Sequence, residues 1–257
     1  MSLHYGQFCP IAKAAEILGE RWTILIVSEL LLGTRRYSDF QRSLSQLSPT
    51  LLTKRLNQLV DCGLVIRKIQ PGQRRAEYAL SPAGLELGPI IFGLGEWGMK
   101  WARGQMRDDE LDVQLLMYDY CRRIDADQLP GGRIVAAFVF AGLPKFAHWW
   151  IIIEANRERE LCVKHPGKEE DIQIRSDVRT MVEIWAGDTE IRTATKDGRL
   201  KLSGNPAVVR TLSSWLRIGS LSHIRPHPKP LHVQTGKETS GQNARDVRRD
   251  HTHSLST

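Results

Sequence analysis

Residues 47–84 read LSPTLLTKRLNQLVDCGLVIRKIQPGQRRAEYALSPAG, and this stretch decides the fold. Ser48 suits a helix cap, Pro49 suits the first helical position, and Gly63 suits a left-handed residue just past the end. Between them, apolar and polar residues repeat at helical spacing on opposite faces. The stretch therefore predicts a helix from Ser48 to Asp61 with one core face and one polar, cationic face.

A hairpin is expected directly after this helix. Residues 64–69 read as a strand, Pro71-Gly72 is a turn signal, and residues 76–80 alternate as a returning strand. The basic residues around this turn are Arg67, Lys68, Arg74 and Arg75. A cationic helix face beside a basic hairpin favours nucleic-acid binding, because each Lys or Arg that neutralises a phosphate releases condensed counterions and so strengthens binding. The alternative is a solvated amphipathic helix followed by an ordinary charged turn.

Three shorter helices are predicted upstream. The first covers residues 11–18, the second is capped by Thr23 and closes at Gly33, and the third covers residues 37–44. A tight turn joins the third helix to the Ser48–Asp61 helix, which is typical of a helix-turn-helix. The hairpin makes the motif winged.

The positive charge of the chain is concentrated at its two ends. Of the net charge of +7 over 257 residues, residues 1–105 carry +5 (13 Lys and Arg against 8 Asp and Glu), residues 106–218 carry −1 and residues 219–257 carry +3. A polyanionic partner is therefore expected at the N-terminal domain. The chain length suits one large or two modest domains.

No targeting or metal-binding pattern is present in the sequence. No apolar run approaches the roughly 18 residues of a membrane span, and the N-terminus lacks a signal-peptide pattern, so a cytoplasmic protein without membrane contact is expected. The four cysteines, Cys9, Cys62, Cys121 and Cys162, are scattered and predict free thiols. We expect no metal and no cofactor.

Several motifs occur in the order and spacing of a known family. They are Cys9-Pro10, Gly19-Glu20-Arg21-Trp22-Thr23, Gly33 with Arg36-Tyr37, Leu52-Thr53-Lys54-Arg55-Leu56, Gly63-Leu64-Val65 with Arg67, Glu77-Tyr78-Ala79-Leu80 and Gly84. Over residues 9–101 the chain thereby resembles the HxlR family of bacterial winged helix-turn-helix regulators. It departs from the family at Tyr37, where Phe is usual, and at Gln73 and Ala76, where the wing usually has Pro and Val. The resemblance implies a homodimeric transcription factor.

Residues 1–107 are accordingly interpreted as a DNA-binding and dimerisation domain. In a dimer, two Ser48–Asp61 helices would enter successive major grooves of a double-stranded operator. The side chains expected nearest the bases are Thr50, Thr53, Lys54 and Asn57. Those expected nearest the phosphates are Arg36, Arg55, Arg74 and Arg75.

Residues 81–105 are the expected dimer element. The apolar and small residues at helical spacing are Leu87, Ile91, Leu94, Gly98 and Trp101 on one face, with Ile90 and Trp97 beside it. Pro89 is expected to kink or split the helix near its start. Helix-turn-helix proteins usually pair to read two half-sites, which favours a homodimer. The alternative is packing of this face onto the chain's own second domain.

Residues 108–220 predict an α+β layer domain after a linking helix over residues 111–124. Apolar runs predict a mostly buried sheet of about five strands, at residues 133–140, 149–154, 161–163, 172–174 and 200–202. Amphipathic helices are expected at residues 178–185 and 207–216. Strands buried on both faces with covering helices form such layers.

A second resemblance rests on four segments of this domain. They are Trp149-Trp150, Leu161-Cys162 with Pro166-Gly167, Trp185-Ala186-Gly187-Asp188 and Gly198–Gly204. They resemble the sterol-carrier-protein-like fold that some HxlR regulators carry at their C-terminus. The resemblance implies an apolar tunnel and, through it, control by an apolar small-molecule effector. The alternative is a solid core that only reinforces the dimer.

Cys9 is a redox-sensing candidate. As the expected cap before Pro10, its sulfur faces helix amides that favour a thiolate, and the resemblance implies that a cysteine here senses oxidants or electrophiles. The alternative is a buried structural thiol. Residues 221–257 form a basic tail rich in Pro, His, Ser and Thr, for which we expect disorder.

Three functions compete for the whole chain. A sequence-specific DNA-binding transcriptional regulator, controlled by a ligand in the C-terminal domain or by oxidation of Cys9, is favoured. A lipid or hydrophobic small-molecule carrier with a dimerising N-terminal domain is the alternative, although a carrier has no need of a basic helix face. An enzyme is not expected and no catalytic residue is assigned, because nucleophile-elbow and phosphate-cradling motifs are missing from the sequence.

Overall fold

The chain, described by a computed structural model over residues 4–69, 72, 75–103, 107–130, 132–154, 157–229 and 231, begins with the predicted winged helix-turn-helix. Its elements are α1 (Pro10–Leu18), α2 (Thr23–Leu31), α3 (Tyr37–Ser43), α4 (Pro49–Asp61), β1 (Val65–Ile69), β2 (Ala76–Leu80), α5 (Pro82–Leu85) and α6 (Gly88–Trp97). Strands β1 and β2 are antiparallel. A π-helical turn, Gly98–Ala102, continues α6.

Helix α4 begins and ends where its sequence predicts. The Ser48 hydroxyl accepts a hydrogen bond from the Leu51 amide at 3.4 Å, and Gly63 adopts a φ of +79° just past the end. The expected Thr23 cap of α2 does not form. Trp22 occupies the cap position, because the Thr23 amide bonds back to the Glu20 carbonyl at 3.0 Å and Thr23 becomes the first helical residue.

The second domain contains the five predicted strands. Its helices and strands are α7 (Val113–Arg123), β3 (Arg133–Phe140), β4 (His148–Glu154), β5 (Glu160–Cys162), β6 (Ile172–Ser176), α8 (Val178–Ala186), α9 (Ile191–Lys196), β7 (Lys201–Gly204), α10 (Pro206–Arg210) and α11 (Leu212–Trp215). The sheet order is β5-β4-β3-β6-β7. Only the β3–β6 pair is parallel among these neighbours. Short 3-10 turns, Asp108–Glu110 and Ala126–Gln128, flank α7.

One face of this sheet packs against α7, α8, α10 and α11. Tyr120 and Trp215 are fully buried there. The Tyr120 hydroxyl donates a hydrogen bond to the Met181 carbonyl at 2.8 Å, and the Trp215 indole N–H donates to the Val208 carbonyl at 3.2 Å, so both polar groups have a partner. Buried apolar side chains pack between the sheet and these helices, and the expected tunnel stays a prediction. A pocket at the outer edge of the helices is described below.

One predicted helix of this domain needs correction, and one helix was missed. The single helix expected over residues 207–216 is two short helices, because the Thr211 hydroxyl donates to the Ala207 and Val208 carbonyls and interrupts the helical ladder. Helix α9 was not predicted. Among its residues only Ala194 is buried, so its sequence carries no repeating apolar face.

Buried charged groups join the two domains. The Arg122 guanidinium of α7 lies 2.9 Å from the Glu29 carboxylate of α2 and also pairs with Asp119. Asp119 pairs in turn with Arg123 and accepts a hydrogen bond from the Trp185 indole. Glu29 and Asp119 are only 5% and 3% exposed. Because buried carboxylates require partners, these contacts attach α2 firmly to the second domain.

The beginning of the C-terminal tail is folded against the rest of the chain. The His227 amide donates to the Lys100 carbonyl and the Leu231 amide donates to the Trp101 carbonyl, both at 2.7 Å. The prediction of disorder is therefore wrong for residues 221–229, because backbone donors rather than a periodic apolar pattern attach this segment. Residues 230 and 232–257 lie outside the described residues.

Every helix in the described ranges is too short or too polar to cross a membrane.

Candidate nucleic-acid interface and ligand pocket

The polar face of α4 is exposed as its sequence predicts. Thr50, Thr53, Lys54 and Asn57 are all exposed, whereas Leu52 and Leu56 on the opposite face are fully buried. Because the apolar face of α4 packs into the core, the opposite face presents hydrogen-bonding groups and one positive charge to solvent.

Tyr37 holds the first turn of α4 in place. Its hydroxyl donates to the Pro49 carbonyl at 2.8 Å and lies 3.2 Å from the Thr53 hydroxyl oxygen. The Thr53 hydroxyl also donates to the Pro49 carbonyl at 3.0 Å. This explains the departure from the usual Phe, because a phenylalanine lacks the hydroxyl that ties α3 to α4. It also means that the Thr53 hydroxyl has internal partners on the exposed face.

Arg36 lies directly before α3, beside the hairpin, and is contacted from both domains. Its guanidinium is 3.6 Å from the Glu77 carboxylate of β2 and 3.4 Å from the Glu158 carboxylate of the second domain. The nearby Glu158 charge raises the pKa of Arg36. A phosphate that reaches Arg36 must therefore compete with Glu158.

A basic groove of about 440 Å³ separates the start of α3 from the hairpin. Three guanidinium groups line it, from Arg36, Arg67 and Arg75. Arg75 and Arg67 are exposed, as expected for phosphate contacts. Arg74 lies outside the described residues, so its phosphate contact stays a prediction.

Arg55 has a structural role that its sequence context did not indicate. Only 8% of the residue is exposed. Its guanidinium pairs with Glu20 at 2.5 Å, donates from Nε to the Arg21 carbonyl at 3.0 Å, and donates from Nη1 to Gln58 at 2.7 Å. These contacts tie α4 to the turn before α2. The expected phosphate contact is not available to Arg55, because its donors are occupied inside the domain.

An exposed apolar stripe runs along α6. It consists of Ile90, Leu94 and Trp97, which are 61%, 46% and 49% exposed and follow each other at spacings of four and three residues. The dimer face expected from sequence was centred instead on Ile91, which is 7% exposed and belongs to the core of the N-terminal domain. Leu94 belongs to the expected face itself, and Ile90 and Trp97 are the two residues that were expected beside it. Pro89 lies in the first turn of α6, which starts after a break from α5, as predicted.

The four cysteines are free thiols in different environments. Burial raises the pKa of Cys121 to about 12. Burial, together with the adjacent Glu160 charge, also raises the pKa of Cys162. Both environments disfavour a thiolate. Cys9 is half-buried at the cap position of α1, where its side chain makes no capping hydrogen bond, and Cys62 is exposed.

A pocket of about 1090 Å³ lies at the outer edge of the second domain, between α8, α9, α10, α11 and the segment that follows α11. Its apolar lining includes Ile184, Ile191, Leu202, Val209, Leu212 and Leu216. Its size is that of a small-molecule site.

Two family models match separate segments of the chain. The model described as HxlR-like helix-turn-helix matches residues 17–106, and the SCP-2 sterol transfer family model matches residues 132–217. Both resemblances expected from the sequence are thereby confirmed.

Three curated relatives are HTH-type transcriptional regulators. YvaP of Bacillus subtilis is 37% identical over 101 residues, which are 38% of this chain and 94% of YvaP. The regulator sll1512 of Synechocystis is 34% identical over 97 residues, or 37% of this chain and 72% of the relative. A regulator of Methanothermobacter thermautotrophicus is 30% identical over 103 residues, or 40% of this chain and 79% of the relative.

Proposed function

The chain belongs to the HxlR-like helix-turn-helix family of transcriptional regulators, and we propose that it binds operator DNA as a homodimer through α4 and the β1–β2 hairpin. One observation carries this proposal. The polar face of α4, with Lys54 and Asn57, is exposed beside a groove lined by three arginines. A helix of this kind enters a major groove, while flanking guanidinium groups neutralise phosphates.

The structure supports a division of roles within this surface. Thr50, Lys54 and Asn57 are exposed on α4 and are the residues proposed to meet the base edges. Thr53 contributes its methyl group and its remaining acceptor capacity, because its proton is donated to Pro49. Arg36 and Arg75, together with Arg74, contact phosphates, and Arg55 is omitted because it holds α4 in place.

Removing wing charges should weaken binding to all duplexes alike. For Arg74→Ala combined with Arg75→Ala, we expect the slope of log affinity against log salt to flatten by about two units, since each phosphate contact releases about one counterion. Lys201→Ala is the control, because it removes an exposed positive charge from strand β7 of the second domain, outside the proposed DNA surface. Fluorescence anisotropy over a salt series measures the slopes. An unchanged slope in the double variant would remove the wing from the interface.

The stripe on α6 supports the proposed homodimer. Ile90, Leu94 and Trp97 form an exposed apolar surface along one helix. A second copy of the same helix can cover this surface in a symmetric pair. Dimerisation would also set the distance between the two α4 helices, which a pair of half-sites requires.

We further propose that the pocket of the second domain binds an apolar effector. A ligand covering its apolar lining removes surface worth ~25 cal/mol per Å² from water. To regulate, the ligand must bind the DNA-competent and DNA-incompetent dimers with different affinity. Fatty acids, acyl thioesters and aromatic hydrophobes should raise the melting temperature and change operator affinity. Val209→Trp should fill the pocket and abolish both effects. A response that persists in Val209→Trp would place the effector elsewhere.

Cys9 is proposed as a second input, because Cys121 and Cys162 lie in environments that disfavour a thiolate. Peroxide or a quinone should lower operator affinity in the parent protein and leave Cys9→Ser unaffected. Cys62→Ser, which removes an exposed thiol, is the control and should retain the response. A Cys9→Ser variant that binds DNA normally and still responds would exclude the redox role.

A further inference from the structure

The chain does not leave the second domain after α11. It runs along the pocket, whose lining it joins, and on to the π-helical turn that ends α6; α6 with this turn is the expected dimer helix. We call residues 218–229 the strap. It contacts both the pocket and the dimer helix, and neither family model covers it, since the second match ends at residue 217.

The first half of the strap is a wall of the pocket. Ile218, Ser222, His223 and Arg225 all line it. The Arg225 guanidinium donates to the Gly187 carbonyl at the end of α8. Gly187 has a φ of +77°, and a Cβ there would lie 2.6 Å from the Ser222 carbonyl oxygen, so the strap backbone passes directly over this glycine.

The second half of the strap caps the dimer helix. The Lys100 and Trp101 carbonyls lie at the end of the π-helical turn, where a helix lacks internal donors. They accept hydrogen bonds instead, Lys100 from the amide of His227 in the strap and Trp101 from the amide of Leu231 just beyond it. The His227 ring also stacks on Trp101, with centroids 4.3 Å apart.

Leu221 fixes the middle of the strap to α6. A Cβ at Gly95 would lie 2.7 Å from a terminal carbon of Leu221, so the glycine permits a close approach. Gly95 adjoins Leu94 of the apolar stripe. A shift of the strap therefore acts one residue away from the surface proposed to pair the two subunits.

The charges around the pocket indicate the class of molecule that it takes. Cations at the pocket are Arg192, Lys196, Arg210, Arg217 and Arg225, against one acid, Glu190. The floor is apolar. Arg217 pairs with Asp125 at 2.7 Å and Arg225 donates to the Gly187 carbonyl, yet the pocket keeps an excess of positive charge. An apolar body with an anionic head group matches both the apolar lining and this excess, whereas a neutral hydrocarbon matches only the lining.

We propose that the strap is the movable wall of this pocket, and that an amphiphilic anion bound beneath it shifts the strap and thereby the end of the dimer helix. The inference rests on the proposed effector function and adds its ligand class and its route to the dimer. The anionic head attracts Arg225 away from the Gly187 carbonyl. The His227 and Leu231 contacts carry the displacement to Lys100 and Trp101. Segments held by few buried contacts open more easily than the whole domain, which suits such a part.

A reversible lock on the strap tests the proposal in the full chain. Gly95→Cys with Leu221→Cys places thiols at two positions in close contact, where a Cβ at Gly95 would lie 2.7 Å from the Leu221 Cδ1 atom, in a background with Cys9→Ser, Cys62→Ser and Cys162→Ser. The probe is 1-anilinonaphthalene-8-sulfonate, an aromatic anion whose fluorescence rises in apolar surroundings. We expect oxidation to slow its uptake at least ~10-fold and reduction to restore the rate, because entry requires the strap to open. Val209→Trp should lower the signal, which assigns the fluorescence to the pocket.

Hydrogen exchange of the unmodified chain provides a second arm that needs no disulfide. Addition of the probe should change exchange in residues 219–229 and residues 98–103 together. Equal uptake by the oxidised and reduced forms, or a change in the strap without one in residues 98–103, would overturn the inference. Loss of operator binding by the parent protein would instead contradict the proposed function, so the two failures are distinguishable.

Discussion

Leu94→Asp combined with Trp97→Asp should convert the dimer into a monomer and lower operator affinity at least ~100-fold. Both side chains belong to the exposed stripe of α6, and neither is part of the buried core. Burying two carboxylates in an apolar interface without partners is unfavourable, so the subunits should separate. A monomer then binds a single half-site and loses the gain from linked recognition.

Sedimentation velocity and fluorescence anisotropy measure the two effects. Glu96→Gln is the matched control, because Glu96 is exposed on the same helix but lies outside the stripe. It should leave both the sedimentation coefficient and the operator affinity unchanged. A double variant that sediments as the parent does would show that another surface pairs the subunits.

Arg122→Met should reduce the free energy of unfolding by about 3 kcal/mol. The substitution keeps most of the aliphatic stem but leaves the Glu29 carboxylate without its salt-bridge partner in a buried site, and it removes one of two arginines from Asp119. Among the described residues, Glu29 keeps the hydrogen bond that the Thr34 hydroxyl donates at 2.7 Å. An isolated buried carboxylate is costly, which decides the direction.

Arg157→Met provides the control for charge removal. Arg157 is 75% exposed in its side chain and pairs with Glu154 at 2.8 Å, so its loss should cost no more than about 1 kcal/mol. Adding Glu29→Gln to Arg122→Met should recover part of the loss, because the unpaired charge is then gone. Chemical denaturation of the parent protein and of these three variants gives the four free energies of unfolding. Equal losses for Arg122→Met and Arg157→Met would contradict the coupling role of this cluster.

Local structure followed from local sequence where short-range chemistry decides it. The Ser48 hydroxyl and Gly63 bound α4 because capping and left-handed φ depend on adjacent residues alone. The five strands were predicted for the same reason, since long apolar runs require burial wherever the chain goes. Thr211 shows the limit, because its hydroxyl competes with the helical ladder inside an otherwise amphipathic run.

Contacts between distant residues could not be read from periodicity. Arg55 and Lys54 are adjacent cations on one helix, yet only Arg55 meets Glu20, so its burial depends on how α4 packs against the turn before α2. Ile91 and Ile90 differ in the same way, one in the core and one exposed. The strap was unpredictable because backbone amides, which carry no sequence pattern, make much of its contact with the dimer helix: the amide of His227 and the amide of Leu231, just beyond the strap, donate to the Lys100 and Trp101 carbonyls.

The most direct test of DNA recognition is selection of the full-length protein against a pool of random duplexes, followed by titration of the recovered sequence over a salt series. We expect a palindromic site whose half-sites are separated by about one helical turn or a multiple of it. We also expect a steep loss of affinity with salt, because Lys54 and the arginines of the basic groove neutralise phosphates. Recovery of no common sequence, with affinity indifferent to salt, would show that the protein is not a sequence-specific DNA-binding regulator.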